Sequence, residues 1–330
     1  MVEPQTQPQT QQRTRWSQLT YASFGPGMGD GWGFGPSRNV HPKDEEFVKH
    51  FVRGSLKPVQ EVSDFLTSEE VEQLPIRMEY IPWYERAVFL HTRPAGKDSS
   101  GRQGNTFTHI YVDHAAQVDN STLIYPIQAY HSPDFRMPFL SKRVDGVELS
   151  EDNNGPDAGP HFDIDLAWEI IRSMFMGIDR TNVVWKVLDA LEAGDKLPVL
   201  VVNNSMDAQT WLTVISSLMS RKEARELFRF STFERATTLQ VDRYSQFRGR
   251  AVVAIPVEDA EAAARMDGVE VINTKDAGEG YGVGGAWASI SKKALEHYPS
   301  HGELIAALDA QPPLNPDRPR LGDAMRQLNL

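Results

Sequence analysis

The chain has 330 residues, 40% of them hydrophobic and 9% aromatic, enough for more than one core, and it has no cysteine, which excludes disulfides, thiolate metal sites and a cysteine nucleophile. Lys and Arg number 34 against 45 Asp and Glu, a net charge of −11 that argues against the phosphate neutralisation behind broad nucleic-acid binding. No apolar run approaches the roughly 20 residues of a membrane span, and no hydrophobic segment follows the polar start MVEPQTQPQTQQRTR, so a cytoplasmic protein with a disordered tail over residues 1–15 is expected.

Residues 16–24 alternate as a strand does. Residues 25–36, GPGMGDGWGFGP, carry six glycines and read as a loop, either a backbone cradle with Trp32 and Phe34 as aromatic contacts or a surface loop with both rings tucked inward. No Lys-Ser or Lys-Thr ends it, so it is not a nucleotide loop. Helices are expected at 42–52 and 67–74, the second capped by Thr67 or Ser68 with Glu70 as the capping-box acid, then a strand at 76–83. Two strands, 86–92 and 105–113, flank a polar loop at 93–104 that is longer than a hairpin needs. Residues 123–130 read as an edge strand because of Pro126. The turn-rich stretch 131–160 holds the expected domain boundary near 150–160, and its PDFRMPF segment (133–139) is expected to dock on the other half.

The second half is more helical. Apolar residues at helical spacing mark 164–176 and 181–193, with Gly177 and Gly194 as stops. A buried strand at 197–202 precedes a helix at 208–219 capped by Asp207, and another helix follows at 221–227. Strands are expected at 228–233, 250–256 and 269–273, with helices at 260–266, 286–298 and 302–309 and a Pro-rich linker with a short tail helix over 311–330. The fold class that follows is α+β: a β-rich domain with an antiparallel or mixed sheet at 16–150, then an α/β domain at 155–310.

Four groups of residues carry candidate chemistry. His161, Asp163 and Asp165 alternate, so in an extended segment all three would face one metal ion; the plainer alternative is a helix cap and a linker histidine. His91 and His109 fall on paired strands near Arg93 and Arg102, and with Asp113 they would make an acid–base site; the alternative is two half-buried histidines bonded to backbone. Ser99 or Ser100 with Asp98 and His109 lacks the strained elbow of a nucleophile. The glycines at 278, 280, 282, 284 and 285 precede a helix as in dinucleotide folds, but little chain remains to complete such a sheet, and a turn or flap is expected. Trp168 and Trp211 read as core. No cofactor is expected.

The segments WSQLTYASFGPGMGDGWGFGP and RPAGKDSSGRQGNTFTHIYVD resemble the bacterial GTPase-associated protein family. Its N-terminal domains carry Q-x-x-Y, a glycine-bearing loop and then Arg…Gly-Arg-x-Gly-Asn-x-Phe-x-His. The matching positions are Gln18, Tyr21, Gly31, Trp32, Arg93, Gly101, Arg102, Gly104, Asn105, Phe107 and His109. A similar middle region surrounds Trp211 and FRFSTFE, so the resemblance runs from residue 16 to about 290. It implies a non-enzymatic cytoplasmic adaptor or regulator of a predicted conflict system, acting with a protein partner such as a GTPase, and it implies no catalytic residue. Trp32, Arg93, Gly101, Arg102, Gly104, Asn105 and His109 are the binding residues it suggests. A hydrolase centred on His91, His109 and Asp113 is the alternative.

Overall fold

Nine strands form one continuous mixed sheet in the order β2-β1-β5-β4-β3-β7-β8-β6-β9. They are β1 (Trp16–Phe24), β2 (Gly31–Phe34), β3 (Arg77–Trp83), β4 (Arg86–Gly96), β5 (Asn105–Asp113), β6 (Leu197–Val202), β7 (Phe228–Ser231), β8 (Arg250–Pro256) and β9 (Val269–Asn273). The structure is a computed structural model that describes residues 14–63, 65–115, 124–152, 154–159, 164–176, 180–245, 250–275 and 281–330. β1 to β5 pair antiparallel, whereas β7, β8, β6 and β9 run parallel. The two sets meet where β3 lies antiparallel to β7, with Glu79 opposite Ser231 and Tyr80 opposite Phe230.

The helices among the described residues are α1 (Asp44–Lys49), α2 (Ser68–Glu72), α3 (Ser141–Asp145), α4 (Ile164–Met176), α5 (Thr181–Ala193), α6 (Ser205–Ser216), α7 (Arg221–Glu226), α8 (Val241–Ser245), α9 (Ala260–Ala263), α10 (Ala286–His297), α11 (His301–Asp309) and α12 (Asp323–Arg326). None is long and apolar enough to cross a membrane. The main core lies on one sheet face, where Tyr80, Phe89, Tyr111, Leu200 and Phe230 meet Trp168 of α4, Val187 of α5, Leu212 of α6 and Trp287 of α10. Burying each ring of this size contributes about 1.5–3 kcal/mol, so this layer carries both halves of the sheet. On the opposite face α1 covers β1, β3, β4 and β5 through Val48, and α8 and α9 cover β6 and β8 through Tyr244 and Ala263.

Between those two smaller clusters the seam is ionic. Glu79 of β3 is buried and accepts from Arg229 of β7, from Arg53 at 3.1 Å and from Arg243 at 3.3 Å. Glu234 accepts from Arg53, from Ser231 Oγ at 2.8 Å and from the Tyr244 hydroxyl at 2.8 Å. Burial alone would raise the Glu79 pKa, but Arg243, Arg229 and Arg53 outweigh it and hold the carboxyl well below the usual range.

Several expectations are corrected. The described part of 123–130 is a short 3-10 turn, Pro126–Ala129, not a strand. Pro126 has no N–H to lose at a helix start, and the Tyr125 N–H donates to Gln128 Oε1 at 2.8 Å. The glycine run holds a real strand, β2, whose flat backbone pairs with β1 from Phe24↔Gly31 to Tyr21↔Phe34. α6 begins three residues earlier than expected, because Asn204 rather than Asp207 is the cap: it is extended and its side chain accepts the Asp207 N–H at 2.9 Å. The 133–139 segment docks on β4 and β5 of its own half rather than across the molecule, since Phe135 packs on His91 and the Arg136 N–H reaches His109.

Candidate interaction site

The two glycine-bearing loops converge at one end of the antiparallel strands. Asp98 organises the second loop: its carboxylate accepts the Ser100 N–H at 2.9 Å, Ser100 Oγ at 2.7 Å, the Arg102 N–H at 2.9 Å and Arg102 Nε at 2.8 Å. The left-handed turns this wrap requires fall on Gly101 (φ +83°) and Gly104 (φ +87°). Ser23 Oγ also donates to Asp98, at 3.3 Å, which ties the loop to the end of β1. Asn105 completes the tie, accepting the Ser23 N–H at 3.0 Å and donating to the Ser23 carbonyl at 3.1 Å.

The first loop leaves β1 at Gly25, whose N–H donates to Asp145 of α3 at 2.9 Å. A Cβ at Gly25 would stand 2.7 Å from the Asp145 carboxylate and 3.4 Å from Ser99 Cβ, so the loops touch and only glycine fits between. Beyond it Trp32 is 44% exposed and stacks on Tyr21 with centroids 5.9 Å apart. Arg102 keeps 69% of its side chain in solvent while its Nε holds Asp98. Trp32 on Tyr21 thus presents an aromatic plane, and Arg102 on Asp98 a guanidinium held by a rigid loop.

The histidines behave differently. His91 and His109 are cross-strand partners, but both are fully buried. The His91 Nε2 lies 3.1 Å from the Tyr130 carbonyl and donates to it, whereas His109 Nδ1 accepts the Arg136 N–H at 3.0 Å. Phe135 stacks on His91 at 4.5 Å and meets His109 edge-on at 5.8 Å. Burial, aided by His131 for His91 and by His91 and Arg136 for His109, pushes both pKa values down to about 3, so both rings are neutral near neutral pH. Asp113 lies roughly 13 Å further along β5, where its buried carboxylate holds Arg15 at 2.9 Å and Arg225 at 2.6 Å. Each histidine is held through one ring nitrogen, with His91 Nδ1 and His109 Nε2 buried without a partner among the described residues, and Asp113 is held by two arginines well away from them, so the three do not converge on one reacting centre. His109 is likewise closed to Ser99 and Ser100, because the Arg136 amide takes its acceptor nitrogen.

His161 and Asp163 lie outside the described residues; Asp165 is exposed in the first turn of α4. Among the described residues no group of three His, Asp or Glu side chains is placed to hold a metal ion. Gly278 and Gly280 are also outside the description. Gly284 and Gly285 each donate an N–H to Asp189 at 2.9 Å, and Trp287 N–H reaches Glu192 at 3.2 Å. The anion position ahead of α10, which a dinucleotide phosphate would need, is filled by the chain's own carboxylates. Sequence reasoning missed Ser23 and Asp145, which act from a distance. It also undervalued Asp98, whose role is signalled by the Asp-x-Ser-Gly turn chemistry.

Residues 15–155 match the family described as GTPase-associated protein 1, N-terminal domain type 2, and residues 166–274 match GTPase-associated protein 1, middle domain. The chain is also similar to SaeB of Mycolicibacterium smegmatis strain ATCC 700084 / mc(2)155, named as a proposed ESX-1 scaffolding and assembly protein, at 31% identity over 273 residues, 81% of this chain and 32% of the relative. The protein of the same name in strain MKD8 is 29% identical over 315 residues, 90% of this chain and 37% of the relative. The chain therefore spans about a third of the length of these curated relatives.

Proposed function

We propose, from the premise that this chain belongs to the GTPase-associated protein 1 family through its N-terminal type 2 and middle domains, that it is a non-enzymatic adaptor or regulatory protein of a bacterial conflict or stress system. It acts in the cytoplasm with a protein partner, and a GTPase is the first candidate. The observation that carries this reading is the meeting of the 25–30 and 97–104 loops, with Trp32 of β2 exposed on Tyr21 and Arg102 exposed on a base fixed by Asp98 and Asn105. Aromatic and arginine side chains are the usual anchors of protein interfaces. Two further points support it: relatives are named for scaffolding and assembly, and the burial of His91 and His109 away from Asp113, which is itself paired with two arginines, disfavours a hydrolase.

The test is affinity purification of the tagged chain from its own cells, with mass spectrometry of what co-purifies. A stoichiometric protein is expected with the parent chain, reduced about tenfold or more for Trp32→Ala and clearly reduced for Arg102→Ala. A partner recovered equally by all three proteins would overturn the assignment of this surface.

A further inference from the structure

Arg93 stands apart from the other buried arginines. It extends from β4 on the face that carries His91, and the residue is only 6% exposed. Arg225 and Arg229, equally buried, each hold a carboxylate, Asp113 and Glu79 respectively. The Nη1 of Arg93 instead lies 3.6 Å from the Met137 sulfur, a weak acceptor, and its Nε and Nη2 meet no acceptor at all. A buried guanidinium left this way is costly unless something else completes it.

The surroundings say what would complete it. Arg93 follows Thr92, which pairs with Arg77 of β3, and the Thr232 hydroxyl donates to the adjacent Ile76 carbonyl at 3.0 Å, so Arg93 stands near the end of β7; its charge also bears on the Tyr130 hydroxyl. Thr232 directly follows β7. This is the carboxyl end of a parallel strand, where open α/β sheets take their ligands. Met137 is a cover rather than a wall. Arg136 is pinned by its N–H to His109 and Leu140 by its N–H to the Ala95 carbonyl at 2.9 Å, while Met137 as a residue is 36% exposed and its unbranched side chain can change rotamer. Glu72, exposed at the end of α2, lies close enough to favour the Arg93 charge without bonding to Nε or Nη2.

We propose that Arg93 anchors an oxyanion, a carboxylate or phosphate group, that enters beside the carboxyl end of β7 by displacing the Met137 side chain. The exchange replaces a weak sulfur acceptor with a charged one that accepts from two guanidinium nitrogens at once. The site is separate from the Trp32 and Arg102 surface, so either assignment can fail while the other stands.

The experiment is a thermal-shift titration of the full chain with inorganic phosphate and with acetate, at ionic strength held constant with chloride. A saturable rise in Tm is expected with one of the two anions, and which one identifies the group. Arg93→Gln should abolish the rise. Met137→Ala should lower the half-saturating concentration several-fold by removing the cover, and Glu72→Gln should lower it too by removing a competing carboxylate. Should Arg93→Gln fail to fold, as judged by circular dichroism, the Met137→Ala shift decides the matter alone. A rise equal in folded Arg93→Gln, no saturable rise with either anion, or a half-saturation unmoved by Met137→Ala would overturn the proposal.

Discussion

At the scale of single residues, the buried polar groups set the pH response. His91 and His109 are neutral in the fold with pKa values of about 3, below the ordinary 6.5. Between those values the unfolded chain binds protons that the fold refuses, so stability is full above pH about 6.5 and falls as pH drops toward 3. Two such groups give a slope of up to roughly 2.7 kcal/mol per pH unit. Urea unfolding from pH 7 to pH 4 should show that slope, and His109→Gln should cut it by about half. Asp98 works at lower pH. Burial raises its pKa, but the bonds from Ser100 and Arg102 prevail and hold it well down, so its contribution is present above the ordinary carboxylate range and lost as pH falls below it. Asp98→Ala should cost about 1–3 kcal/mol and speed proteolytic nicking within 97–104. Asp98 was visible in the sequence only as a polar residue of the 93–104 loop, and Asn105 as the first residue of the strand at 105–113. That they share Ser23 as a partner was not visible, because it lies 75 and 82 residues away along the chain.

At the scale of elements, local rules worked where one rule acted and failed where two competed. The Thr67 capping box forms as its spacing implies, with Glu70 returning the bond at 2.8 Å. Around α6 two Asx residues, Asn204 and Asp207, both suit a cap, and backbone conformation chose the first (φ −157°, ψ 177°). Asn204→Ala is expected to cost about 1 kcal/mol, read as a lower urea midpoint, whereas Asp207→Ala should cost less. The 123–130 segment has strand-like residues, yet Tyr125, Ile127 and Tyr130 are buried together in the main core, and a turn serves that burial better than an extended run. β2 was hidden by the reverse effect: glycines lower strand propensity, and pairing with β1 supplies what composition lacks.

At the scale of the whole molecule, the α+β class was legible, and the unbroken apolar runs LPVLVV and RAVVAIP marked β6 and β8 as buried strands. The joining of both halves into one sheet was not legible, because the pairing of Tyr80 with Phe230 spans 150 positions and leaves no local mark. With the main core crossing that seam, a single cooperative unfolding transition is expected by calorimetry. Glu79→Ala should destabilise it by about 3–5 kcal/mol, since Arg229, Arg243 and Arg53 all lose a buried partner.

The seam also has a history within each molecule. β3 leaves the ribosome ahead of β7 by about 150 residues, a lag of roughly 7–30 s at ordinary rates of synthesis. Throughout that interval β3 is the bare margin of a half-built sheet, open to pairing with any passing strand. Glu79 then sits there without its arginines from β7 and α8, with Arg53 alone of its three partners already made, a charged site on a surface that would otherwise invite a stranger. The residue that locks the finished sheet is thus a guard for the unfinished one, and Glu79→Val should lower the soluble yield on expression more than its effect on the folded protein alone would explain.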